Sequence, residues 1–373
     1  MQGMRVAAAE PDNPKPHAGR VPALDLLRLV AVLGVILFHY GFRGPTAFGT
    51  THVAWPELSA VARYGYLGVP VFFVISGFVI AYSAEGRTAT TFAIARFARI
   101  YPCFLVCMTL TFLAALWLGP PYFSTGLAQW AANLVVAAPA LHQPYMDSAY
   151  WSLVAEITFY AWVTVLMATG VLPRHADAVV LAWLGLTMLN ELTIDAAVVE
   201  KLLLADYSGF FATGLLIHQL HRGRRDAALQ WLLAAAVAVA VFQSVHNLGW
   251  LRAQTGTPFD DGVVAAICLG SILAIIWATR IERLPLRSST VIAIGGVTYP
   301  LYLLHQQIGY DVLLWLRPAG HPPALVGAVM AAMGLLAWAI WRYVERPAQR
   351  WTKGVLTEAF QYVWRNARTT APT

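Results

Sequence analysis

Apolar positions fall into ten blocks along the chain, each bounded by a short polar stretch. They lie at roughly 22–42, 64–84, 102–118, 148–169, 177–193, 199–220, 227–245, 262–280, 291–314 and 323–343. A bilayer core takes about 20 apolar residues per helix, with a range of about 17–25. The blocks predict an all-α integral membrane protein, a bundle of about ten transmembrane helices. The fifth and sixth blocks are the weakest, because they carry Asn190, Glu191 and Asp206. A further apolar stretch, LAQWAANLVVAAPALH, lies within 119–147 and is interrupted at Pro139. It is short for a span and reads as an interfacial or re-entrant segment.

Composition supports the pattern. Of 373 residues, 58% are hydrophobic and 12% charged, where a soluble domain carries about 25% charge. Charge then orients the bundle. With the N-terminus in the cytoplasm and alternating spans, the cytoplasmic segments hold 19 Lys and Arg and the opposite ones 5. Short cytoplasmic loops favour cations, so both termini are expected in the cytoplasm. The net charge of +6 belongs to the same asymmetry. It is dispersed over several loops and gives no footprint for nucleic acid. Residues 1–20 are polar, lack the apolar core of a signal peptide, and read as a disordered cytoplasmic tail. Residues 21–350 form the membrane domain, and 351–373 a cytoplasmic C-terminal tail. The three cysteines show no metal-ligand spacing, and no metal site is expected. No internal repeat of the kind that builds many transporters is visible.

Candidate chemistry lies inside the blocks. Arg28 and His39 are eleven apart in LLRLVAVLGVILFHY. At about 100° per residue they share one helical face, about 16 Å apart along the axis. Ionisable groups within a span usually face the bundle interior or a wet cavity. Snorkelling of Arg28 to the interface, and an interfacial place for His39 beside Tyr40, are the plain alternatives. In the second block, Gly65, Gly68, Ser76 and Gly77 read as small packing positions. TTFAIARFARIYP places Arg96 and Arg99 on one face of a short helix, with Thr90 or Thr91 as its cap and Pro102 opening the third span. Two adjacent guanidiniums make a phosphate clamp, or else ordinary cytoplasmic dressing.

Glu156 lies in YWSLVAEITFYAW, with Ser152 and Tyr160 on its face. A carboxylate there is protonated, paired or wet, and Arg28 or Arg96 would be natural partners. In GGVTYPLYLLHQQIGY, Tyr299, Tyr302 and His305 recur at i+3, followed by Gln306. This polar row on an apolar helix should line a cavity. Near the end, Glu345 and Arg346 read as an ion pair ahead of Pro347.

These pieces, in this order, resemble the acyltransferase-3 family of bacterial membrane O-acyltransferases. The matching elements are Arg28 and His39 at their spacing, FFVISGFVI, Arg96-x-x-Arg99 within FAIARFARIYP, YWSLVAEITFY, TYPLYLLH and VERP. The resemblance covers about 21–350. It implies transfer of an acyl group, most often acetyl, from acyl-CoA to a hydroxyl of a carbohydrate in exopolysaccharide, lipopolysaccharide or a lipid-linked sugar. Relatives also modify antibiotics such as macrolides. By motif, His39 would be the catalytic histidine with Arg28 its partner, Glu156 the fourth-span acid, and Arg96 and Arg99 the donor-binding pair. The family often has SVE where this chain has Val154, Ala155 and Glu156. Some members add an extracytoplasmic SGNH hydrolase-like domain, which is not expected here. A multi-pass protein of the bacterial inner membrane is implied, with the bilayer, a carbohydrate acceptor and other polysaccharide-assembly proteins as partners. A transporter or flippase of a glycolipid or polyol is the rival, since the same Arg, His and Glu could line a substrate path.

Overall fold

A computed structural model describes residues 21–44, 56–316 and 323–369. The expected tail at 1–20 lies outside the described residues. The described residues are mostly helical and contain no strand. The main helices are α1 (Pro22–Phe38), α2 (Gly68–Ala84), α3 (Ala89–Leu118), α4 (Trp151–Ala168), α5 (Val171–Leu189), α6 (Ser208–His221), α7 (Ala227–His246), α8 (Asp261–Ala278), α9 (Ser288–Leu316), α10 (Pro323–Ile340) and α11 (Arg346–Thr369). Each apolar block of the sequence becomes one of α1–α10.

Eight stretches among the described residues are long and apolar enough to cross a membrane; they contain all of these in full but α5, which they cover from Arg174 onward, and α6, α9 and α11. Helix α6 has 14 residues, about 21 Å at 1.5 Å per residue, short of the about 30 Å hydrocarbon core. The expected continuous sixth span is therefore corrected. The chain breaks at Leu204, which is left-handed at φ 53°, between a short helix Ala197–Leu203 and α6. The Gln243 amide of α7 repairs the break: its Oε1 accepts from Gly209 N–H at 3.0 Å, and its Nε2 donates to the Ser208 hydroxyl at 3.0 Å and to the Ala205 carbonyl. Irregular backbone at membrane depth is tolerated where protein satisfies it in this way. Helix α9 owes its lower hydropathy to its tyrosines, His305, Gln306, Gln307 and Asp311. It can carry them because it packs against α1, α3 and α10 near the centre of the bundle.

Two further expectations at α3 are corrected. The helix does not start at Pro102 but runs unbroken from Ala89 through that proline to Leu118. Its cap is neither Thr90 nor Thr91 but Thr88, whose hydroxyl accepts from Thr91 N–H at 3.2 Å. Proline removes one backbone hydrogen bond, and the packing of α3 on α4, α9 and α11 holds the helix together across it. Residues 119–147 contain no long helix, only Leu127–Asn133 and a 3-10 turn at Ala138–Leu141.

Helices α2 and α6 cross through Gly77 and Gly214. A Cβ on Gly77 would run into the Phe211 carbonyl, and one on Gly214 into the Val74 carbonyl. Small residues permit this approach of backbones where lipid gives no hydrophobic drive to associate. Gly77→Leu should cost at least the ~1–3 kcal/mol of an overpacked core, read as a lower melting temperature in detergent. Gly185→Leu, which enters open space, should leave the melting temperature unchanged.

Candidate active site

The expected residues gather around α9 in two groups. The first group surrounds a pair of adjoining cavities. A vestibule of about 440 Å³ is lined by Asp25, Arg28, Arg96, Arg99, Glu345 and Arg346, with Trp341 and Gln349 beside them. It shares Arg28, Arg96 and Arg99 with a deeper chamber of about 290 Å³, whose other polar walls are Ser76, Ser152, Glu156, Tyr160, Tyr299 and Tyr302. Every expected residue except His39, His305 and Gln306 therefore meets this space.

The three arginines differ in their partners. Arg28 lies 3.3 Å from Asp25, one turn back on α1. Asp25 is 3% exposed and the Arg28 side chain 25%, so the pair forms part of the vestibule wall. Arg99 pairs with Glu345, whose side chain is 2% exposed, and its guanidinium stands 5.7 Å from the Tyr299 ring. The expected Glu345–Arg346 pair is thus corrected. Arg346 instead lies over the Trp341 ring at 5.4 Å, because the π-turn Trp341–Glu345 turns Glu345 inward toward α3. Arg96 has no carboxylate partner among the described residues. It lies between the rings of Phe92 and Tyr160, at 5.9 and 6.0 Å, and its buried Nε is unpaired. A cation held by aromatic faces keeps most of its donors for something else.

Glu156 makes no ion pair among the described residues. Its Oε1 accepts from Ser76 Oγ at 3.0 Å and from the Tyr160 hydroxyl. Arg28 and Arg96 line the same chamber without closing on it. Ser76 is consequently more than the packing residue its neighbours suggest. Ser152, on the same face of α4, meets the Tyr302 hydroxyl at 2.7 Å. Tyr299 donates to the Ile100 carbonyl at 3.2 Å. This pins α9 against α3.

The second group lies beyond Tyr302 along α9. His305 does not line the chamber: it is 0% exposed, and its Nδ1 donates to the Tyr302 carbonyl at 2.7 Å. Its Nε2 has no hydrogen-bond partner. The His39 ring packs against it with centroids 5.1 Å apart. His39 opens a π-turn, His39–Arg43, at the end of α1, and lines neither cavity. Its Nδ1 lies 3.0 Å from the Tyr310 hydroxyl, which donates to the His39 carbonyl at 3.2 Å. With its proton on that carbonyl, the hydroxyl accepts from Nδ1–H, and Nε2 of His39 keeps its lone pair. Tyr310→Phe should then lower turnover about tenfold, the worth of one hydrogen bond, with the donor KM unchanged in steady-state assays.

Asp25 and Tyr310 were not among the expected residues. Asp25 had a legible signal, an acid three residues before Arg28 on one helix. Tyr310 had none, since it is 271 positions from His39. Among the described residues, no group of three or more His, Cys, Asp or Glu could hold a metal ion.

Comparisons with known proteins bear on the whole chain. A family model described as an acyltransferase domain matches residues 21–342. Nodulation protein 10 of Rhizobium leguminosarum bv. viciae is 25% identical over 368 residues, covering 87% of this chain and 92% of that protein. The putative membrane-bound transacylase BcsY of Komagataeibacter xylinus is 26% identical over 351 residues, covering 87% of this chain and 81% of that one. Acyltransferase MdmB of Streptomyces mycarofaciens is 32% identical over 153 residues, which is 39% of this chain and 38% of that protein. No solved structure matches. The match across nearly all of the helical bundle, with these relatives, decides for an enzyme over a transporter: the chain belongs to the acyltransferase-3 family of membrane acyltransferases.

Proposed function

We propose that the protein transfers a short acyl group, acetyl in the first instance, from acyl-CoA to a hydroxyl of a carbohydrate. The observation that carries this reading is the arginine-rich vestibule opening onto a narrow chamber. CoA is an extended molecule, phosphate-rich at one end and thin at the other. Arg96, with donors to spare, and Arg99 and Arg346 beside it, suit phosphate oxygens. The chamber beyond suits the pantetheine arm. The cation distribution over the loops favours both termini in the cytoplasm, which puts the vestibule on the side where CoA is found, in a multi-pass protein of the bacterial inner membrane.

His39 Nε2 then takes the proton of the sugar hydroxyl as its oxygen attacks the thioester carbonyl. The carbon–sulfur bond breaks, and the departing thiolate takes that proton from the imidazolium. Glu156, held by Ser76 and Tyr160, presents its carboxyl to the arm as a hydrogen-bond acceptor. Tyr302 and His305 stand between the chamber and His39, so transfer requires the Tyr302–Ser152 contact to part. Purified protein with labelled acetyl-CoA should acylate oligosaccharide acceptors, with a glycosylated macrolide run in parallel to place the acceptor class. Movement of the sugar without a new ester would overturn the reading.

A further inference from the structure

A third cavity, of about 660 Å³, lies apart from the site, among α2, α4, α5 and α6. It shares no lining residue with the vestibule or the chamber. Helix α4 is the common wall: Glu156 and Tyr160 face the chamber, whereas Phe159 and Val163 face this cavity. Its body is apolar, lined by Phe159, Val163, Val180, Leu186 and Leu215. Its polar residues gather where α2 and α6 end and α5 begins, at Glu85, Arg87, Asp177, His218 and Arg222.

Depth and charge suit one occupant. From Ala176 to Leu186, both in the lining, ten residues of α5 rise about 15 Å, which is half of the about 30 Å hydrocarbon core. The cavity is thus one leaflet deep with its polar mouth at one membrane edge. At that mouth the acids are already engaged. Glu85 lies 3.2 Å from Arg222 and 3.4 Å from His218, and Asp177 accepts twice from Arg224, at 2.8 and 2.6 Å. Arg87 has no carboxylate partner among the described residues. The loops around the mouth, 84–88, 170–177 and 219–226, carry five arginines against three carboxylates. His218 lines the cavity, is 6% exposed, and faces Glu85 through its Nε2. A spare guanidinium at the head of an apolar slot, with arginines outnumbering carboxylates around it, calls for an anionic head on an apolar tail.

We propose that this cavity holds an acyl tail of an anionic bilayer phospholipid, with its phosphate at Arg87. The site is independent of the donor site and of the proposed reaction.

Native mass spectrometry of the full chain, released from nanodiscs of phosphatidylglycerol and phosphatidylcholine, tests it. The wild-type protein should retain phosphatidylglycerol in preference to phosphatidylcholine. Ala182→Trp, which fills the cavity from α5, should lower retention of both lipids about tenfold while gel filtration shows a monodisperse protein. Arg87→Ala, at an exposed position, should lower the preference for phosphatidylglycerol about fivefold and leave tail binding in place. Equal retention of the two lipids by the wild type, or undiminished retention by folded Ala182→Trp, overturns the proposal. So does a dimer that Ala182→Trp dissociates, since a second copy would then be the occupant. None of these readouts uses acyl transfer, so failure of the reaction scheme leaves the test intact.

Discussion

His39→Ala is expected to lower acyl transfer by about 10²–10⁴-fold, the usual range for loss of a general base, with donor affinity unchanged. The split follows from geometry. His39 lines neither the vestibule nor the chamber, so its ring is not part of the surface offered to the donor. In the proposed reaction it acts at the reacting hydroxyl, where the Tyr310 contact leaves Nε2 as the base. The check pairs turnover of labelled acetyl-CoA with calorimetric donor binding on the same preparation. Near-native turnover by a His39→Ala protein at normal membrane abundance would remove this histidine from the reaction. A parallel loss of donor binding would place His39 in the donor site instead.

The second large effect concerns Arg99. Its removal leaves Glu345 buried without its cation, and breaking one half of a buried pair costs about 3–5 kcal/mol. Arg99→Ala should therefore lower both melting temperature and membrane abundance. Glu345→Gln in the same chain removes the stranded charge and should restore most of the stability. On the proposed donor site it should not restore donor affinity, for which the guanidinium itself is needed. Arg96→Ala separates the two functions. Arg96 has no carboxylate to strand, so the protein should stay stable while the donor KM rises about 10–100-fold, as for one or two hydrogen bonds to a charged group. If the double variant binds the donor as the wild type does, Arg99 is structural only.

The blocks of apolar residues were enough to place α1–α10, because each helix carries its own signal within about 20 positions. The face assigned jointly to Arg28 and His39 came from the period of one helix; in the structure Arg28 lines both cavities, while His39 opens the π-turn after α1 and lines neither. What the sequence could not supply were partners between helices. Glu345 was paired with its neighbour Arg346, yet it meets Arg99, which is 246 positions away. Which face a helix turns to another is decided by packing, such as the Gly77–Gly214 crossing, and no single-helix period encodes that rotation. Glu156 shows a related limit. Its place within a span was evident, but Ser76 and Tyr160 satisfy it where an arginine was expected, and a hydroxyl partner leaves no charge pattern to read. The row Tyr299, Tyr302, His305 was read as one stripe. It splits because Tyr302 closes the chamber and His305 lies beyond it.

The π-turn that begins at His39 holds one residue more than an α-turn. His39 and Tyr40, at its start, both reach α9, through Tyr310 and the His305 carbonyl. Phe42, three residues after His39, packs instead on Phe259 with ring centroids 5.9 Å apart. Deleting one residue between them would restore an ordinary helix and swing one contact by about 100° relative to the other. What must be inherited at this point is therefore a length as well as a letter. When relatives are aligned, a one-residue gap at 40–42 marks a remodelled centre even where the histidine itself is retained.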